Sequence, residues 1–195
     1  MADVILHNLI FFALACGALG WAQWRTLPGP RFPGPRPVGP VFKIWLVVIW
    51  SVGLVLPLVA LVVDGVIGGN SAVTLALAPY FVMFFAQVAS EIFVWKRWRS
   101  PVWVLVPCLY LPWRLYQVSM AFDIAGAAGP IPVVTLITLW ALALLWIINI
   151  GVHYTNIPNT LRWDYHPADS AFPSLHDPRV FTAQAQDALD RSRAA

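Results

Sequence analysis

Five apolar runs, each close to the length that a helix needs to cross a bilayer, constrain this chain more than any other feature. About 20 residues of helix span roughly 30 Å of hydrocarbon, and the runs cover residues 4–22, 42–63, 72–95, 101–122 and 132–154. Inside lipid every backbone N–H and C=O must find a partner within the protein, so a spanning segment is a helix or a strand of a closed barrel. No run shows the alternating pattern of a barrel strand. The expected fold is therefore all-α: a polytopic membrane protein built as a bundle of five transmembrane helices. Composition agrees. Hydrophobic residues make up 59% and charged residues 11%, against roughly 45–50% and 25% in ordinary soluble domains. The fourth run is the least regular. Pro101, Pro107, Pro112 and Arg114 mark it as the segment that kinks, tilts or enters only part-way.

The connections carry an orientation signal. Arg25, Arg31, Arg36 and Lys43 lie between the first two runs, and Lys96, Arg97 and Arg99 between the third and fourth. The alternate connections, residues 64–71 and 123–131, hold one acid each and no Lys or Arg. Basic residues favour the cytoplasmic or stromal side, which sets the N-terminus outside and the C-terminus inside. The net charge of +3 is thus explained by topology, with no nucleic-acid partner implied. The basic side chains Arg25, Arg31, Arg36, Lys96, Arg97 and Arg99 are candidate contacts to lipid headgroups or to a partner. A cleaved signal peptide ending at Ala13-Leu14-Ala15 is disfavoured, because only Asp3 is charged ahead of the first run. Cys16 and Cys108 then fall inside the membrane as small packing residues rather than a disulfide.

Two segments lie outside the runs. The first connection repeats Pro28-Gly-Pro-Arg31 as Pro33-Gly-Pro-Arg36 and should be extended and polyproline-like. It serves as a stiff linker or as a docking strap. The polar tail, residues 155–195, includes Asp177-Pro178, an N-cap followed by proline, and a short helix over about 178–193 is expected.

Ionisable groups within the runs are the candidate functional residues, because burying them in lipid is costly. Gln87 and Glu91 share a face of the third helix with Tyr80, and Ser90 lies beside them; Tyr110, Arg114 and Gln117 form a polar stripe on the fourth. Together Gln87, Glu91, Tyr110, Arg114 and Gln117 are expected to form a ligand site or a polar clamp between helices. A Glu91–Arg114 pair requires the long arginine to reach down, since the two residues begin at different depths. His7 and His153 fall near opposite boundaries and cannot share one haem iron; a haem or pigment held by a single histidine remains open. No deep Lys is present for a retinal Schiff base, and no Cys/His group has metal-site spacing.

Gln87-Val-Ala-Ser-Glu91, Ser100-Pro101, Leu105-Val-Pro107, Leu109-Tyr110 and Trp113-Arg114 together resemble the core of an uncharacterised family of plant-plastid and cyanobacterial multi-pass membrane proteins. That resemblance, over residues 87–114, implies a phototrophic source and a thylakoid or plasma (inner) membrane location. A shorter one, Phe172-Pro-Ser-Leu-His176, is similar to a segment of the membrane phosphatidic-acid phosphatases. The basic motif and the later His-x-x-x-Asp of that superfamily are absent here, leaving His166, Asp169 and His176 as the residues of any lipid-modifying enzyme. Three functions therefore stand: a non-enzymatic accessory or assembly subunit of a larger membrane complex, photosynthetic or respiratory; a small-molecule or lipid binding or transport protein; and a lipid-modifying enzyme. The expected partners are membrane lipids and other membrane subunits.

Overall fold

The structure, a computed structural model, describes residues 2–25, 40–98 and 100–161. Throughout these it is helical, apart from short connections. Helix α1 is Ala2–Arg25. Helix α2 spans residues 40–67 and alternates α-helical with π-helical turns, the latter at Ser51–Val55 and Leu61–Ile67. Helix α3 runs from Ser71 to Phe93 and ends in a π-helical turn, Val94–Trp98. A 3₁₀ turn, Pro101–Val104, leads into α4, Leu105–Ala127, and α5 is Val133–Leu161. Arg31, Arg36, Arg99 and the tail with its expected helix at 178–193 lie outside the described residues.

Four of these helices are long and apolar enough to cross a membrane: Asp3–Arg25, Lys43–Ile67, Ser71–Trp98 and Val133–Thr155. α4 meets the length requirement, at 23 residues and about 35 Å, but is not among the four. It nonetheless runs as unbroken helix from Leu105 to Ala127. Pro107 falls in its first turn, where a missing N–H costs nothing; only Pro112 lies deeper.

The helices alternate in direction. Asn70 caps α3, its side chain accepting from the amides of Ala72 and Val73 at 3.1 and 3.2 Å, and Ser100 caps the 3₁₀ turn by accepting from Val102 at 3.3 Å. Contrary to the expectation that Asp64 opens a connection, that residue is drawn into the last turns of α2. Its carboxylate accepts from the Thr135 amide at 2.9 Å and the Thr135 hydroxyl at 2.7 Å. An acid from one helix thus closes the electropositive start of another. The helix ends segregate charge: Arg25, Lys43, Lys96 and Arg97 lie at one end of the bundle, and Asp3, Asp64 and Asp123 at the other.

α4 sits in the middle, packed against α3, α5 and α1. Large apolar side chains such as Leu14, Trp140 and Ile147 face outward, the reverse of a soluble bundle. Without a hydrophobic force between helices in lipid, close packing and hydrogen bonds must hold them together. Close packing is visible at Gly53, where an added Cβ would lie 3.1 Å from the Trp146 ring.

Candidate functional site

The prolines of α2 and α4 create the first polar contacts. Pro57 has no N–H to give to the carbonyl four residues back, that of Gly53. The chain widens there into its first π-helical turn, with the Leu56 amide bonding to the Ser51 carbonyl, and the freed Gly53 oxygen accepts from the Tyr80 hydroxyl at 2.6 Å. Pro112 leaves the Cys108 carbonyl free in the same way, and the Tyr154 hydroxyl of α5 donates to it at 2.8 Å. A tyrosine from a neighbouring helix thus replaces each missing backbone donor.

Arg114 is the centre of the second set. Only 2% of it is exposed. Its carbon Cζ lies 4.6 Å from the ring centroid of Phe84, 4.8 Å from Trp146 and 5.3 Å from Tyr80, so three aromatic faces take the place of solvent around the cation. Arg114 Nε donates to Gln87 Oε1 at 2.8 Å, and Gln87 Nε2 donates to Glu91 Oε1 at 2.7 Å. The two charges, set at different depths, are joined through the amide of Gln87 rather than by direct contact. Tyr110 joins the same face: the Ser90 hydroxyl donates to the Ala86 carbonyl at 2.8 Å, leaving its oxygen to accept from Tyr110 at 3.1 Å.

Gln117 belongs elsewhere. Its Nε2 donates to Asn8 Oδ1 at 2.9 Å and to the Pro79 carbonyl at 3.2 Å. Asn8 Oδ1 also accepts from Trp113 Nε1 at 2.9 Å. The expected stripe is therefore divided between two networks, one tying α3 to α4 and the other tying α1 to both. Asn8, Asp64 and Tyr154 are among the participants that the sequence does not mark, as are Thr135 and the Phe84 and Trp146 rings. The available signal was an uncharged amide inside an apolar run for Asn8, and a carboxylate ahead of a Gly-rich turn for Asp64.

The remaining candidates lie apart. Arg25 stacks over Trp21 and Trp24, at 5.8 and 5.3 Å from their centroids, and it, Lys96 and Arg97 are exposed at the basic end. His7 is at the acidic end, with Nδ1 3.2 Å from the Tyr116 hydroxyl. His153 Nδ1 lies 2.9 Å from the Asn149 carbonyl, toward the opposite end of the bundle. Both cysteines are free, Cys16 exposed and Cys108 buried. Among the described residues no three His, Cys, Asp or Glu side chains gather to hold a metal. A cleft of about 880 Å³ runs between α1 and α3, walled almost wholly by apolar atoms from residues such as Ile5, Leu9, Phe12, Leu75 and Val82.

A family model described as a domain of unknown function, DUF7733, matches residues 28–157. The chain belongs to that family. The DUF7733 match takes in α2 to α5 almost entirely and leaves α1 outside it. Both the Arg114 network and the two proline–tyrosine contacts therefore lie within the family domain, whereas Asn8 reaches in from beyond its boundary. No curated protein matches the chain, and no solved structure does.

Proposed function

We propose that this DUF7733 protein is a non-enzymatic subunit that scaffolds or assembles a larger membrane complex. The observation that carries the reading is the enclosure of Arg114. A charged group in a span is the natural place for a ligand or ion path, yet this one is walled by three rings and bonded through Gln87 to Glu91. The polar residues around Arg114 are used in joining helices, while the outward faces of the helices other than α4 are mainly apolar and aromatic, suited to neighbouring helices and lipid. On this reading all five helices cross, the basic end faces the cytoplasm or stroma, and the membrane is a plasma (inner) or thylakoid membrane of a phototroph. Extraction from its native membrane in mild detergent, followed by size-exclusion chromatography, should give a species well above 21.6 kDa plus detergent, with other membrane proteins in fixed ratio. A monodisperse free monomer would overturn the proposal.

A second reading, a lipid-binding or small-molecule-binding protein, is favoured by the cleft between α1 and α3. Its volume falls within the range of roughly 300–1,000 Å³ typical of ligand sites. Native mass spectrometry should then find one retained apolar molecule that Ala78→Trp, which fills the cleft, displaces.

A further inference from the structure

α4 is the most polar of the five helices, and its exposed face is the unusual part. From Pro112 to Gly126 the exposed residues of this helix are Pro112, Tyr116, Ser119, Asp123 and Gly126, spaced as one stripe along the helix, while its other faces are buried or half-buried. Every other helix of the bundle turns mainly apolar side chains outward. Here the open stripe carries a phenol, a hydroxyl and a carboxylate. α1 continues it: His7 touches Tyr116, and Asp3, one turn earlier on the same helix face, is exposed as well. A strip of Asp3, His7, Tyr116, Ser119 and Asp123 thus lies along the seam between α1 and α4, in the half of the bundle at its acidic end. The Ser119 hydroxyl donates to the Tyr116 carbonyl at 2.8 Å and the Tyr116 hydroxyl meets His7. The carboxylates are therefore the groups of the strip that call for a counterpart, because an unpaired charge beside hydrocarbon is costly.

We propose that this strip is an intramembrane docking surface for a transmembrane helix of a different protein, one carrying a Lys or Arg near the end that meets Asp123. The inference rests on the reading of the chain as a subunit, and it names where and by what chemistry a partner joins. Charge decides the kind of partner. The strip holds two carboxylates and no Lys or Arg. A second copy, related by an axis along the membrane normal, would set Asp123 against Asp123 at equal depth. The residues joining helices at this end, 68–70 and 128–132, contain no Lys or Arg that could neutralise them. A basic partner helix gives the carboxylate a charge-assisted hydrogen bond and meets the Ser119 and Tyr116 hydroxyls with small or polar side chains.

Photo-crosslinking in the intact native membrane tests this. The full chain carries a photoreactive amino acid at Ser119 or, as a control, at the exposed apolar Ile137 of α5. The adduct from position 119 should be with one membrane protein, attached within a transmembrane helix and within about a turn of a Lys or Arg. Asp123→Lys should lower recovery of that protein by roughly tenfold or more, and exchanging the partner's basic residue for Asp should restore it. An adduct with a second copy of the chain would overturn the proposal in favour of self-association. Adducts with lipid alone, while the co-purifying complex persists, would overturn the docking surface and leave the subunit reading standing. A free monomer with no co-purifying protein would overturn both. Equal recovery of the partner with Asp123→Lys would remove the charge argument and the proposal with it.

Discussion

Tyr154 and Pro112 illustrate how single residues in this bundle compensate one another. Proline at 112 withholds the N–H that Cys108 would otherwise accept, and Tyr154 supplies the donor from the next helix at 2.8 Å. Removing the hydroxyl with Tyr154→Phe should cost about 0.6–1.7 kcal/mol, the range for side-chain hydrogen bonds between membrane helices. Pro112 is exposed, so Pro112→Ala removes little packing and returns the missing donor to the backbone. In that background Tyr154→Phe should cost much less, and reversible unfolding of the four proteins in mixed micelles measures the coupling. Additive effects would show that the two residues act independently. The sequence discloses half of this pairing. A proline in a span announces an unpaired carbonyl four residues back, but which tyrosine reaches that carbonyl depends on how the helices are arranged. Asn8 escaped the sequence reading for a similar reason: a neutral amide in an apolar run gives no sign of the two donors, Trp113 and Gln117, that it satisfies.

At the scale of elements, the α3–α4 pair is the joint on which the rest is hung. Glu91 and Arg114 were legible because ionisable groups stand out in apolar runs, and the difference in their depths was legible from helix rise. What the spacing could not supply was the role of Gln87 as the link between them, or the rings of Phe84 and Trp146 around the cation. Rings are so common in these helices that none is marked in advance as a cation's neighbour. The arrangement makes Gln87→Leu a severe change, since it strips Arg114 and Glu91 of their shared partner without removing either charge. Destabilisation of about 3–5 kcal/mol is expected, as for buried charges that lose a partner. Adding Arg114→Met and Glu91→Gln to the same chain removes the charges that need one, and should recover most of the loss. Thermal unfolding followed by tryptophan fluorescence would read both effects. A triple variant no more stable than Gln87→Leu would show that the network's contribution lies in shape rather than in charge.

For the molecule as a whole, an all-helical chain with several spans follows from run length, and four helices are long and apolar enough to cross a membrane. A fifth crossing and an orientation are what the alternation of basic and acidic ends leads one to expect. α4 is where that reading is most exposed to error, because its polar residues lower its apolarity below that of the other four helices. The structure gives the physical reason. Arg114, Gln117 and Tyr110 are buried against neighbouring helices, so much of the polarity of α4 is enclosed and the helix need not be apolar all round. An average over its sequence cannot distinguish polar groups satisfied inside a bundle from polar groups facing hydrocarbon. The distinction has a consequence for topology. If α4 crosses, residues 128–132 emerge on the side of residues 68–70, and the proposed orientation turns the three acids at this end of the bundle, Asp3, Asp64 and Asp123, away from the cytoplasm. Alkaline phosphatase fused after Ser71 and after Ala128 should then be active in both positions, and a fusion after Trp98 inactive. Activity after Ser71 without activity after Ala128 would mean that α4 enters and returns, leaving the C-terminus on the same side as the N-terminus. Asp123 would then sit at the cytoplasmic end, away from the Asp64–Thr135 contact that closes α5. That contact offers an independent check. Cysteines placed at positions 67, where the side chain is exposed, and 131 in a Cys16→Ser, Cys108→Ser chain should be labelled by the same membrane-impermeant reagent applied from outside.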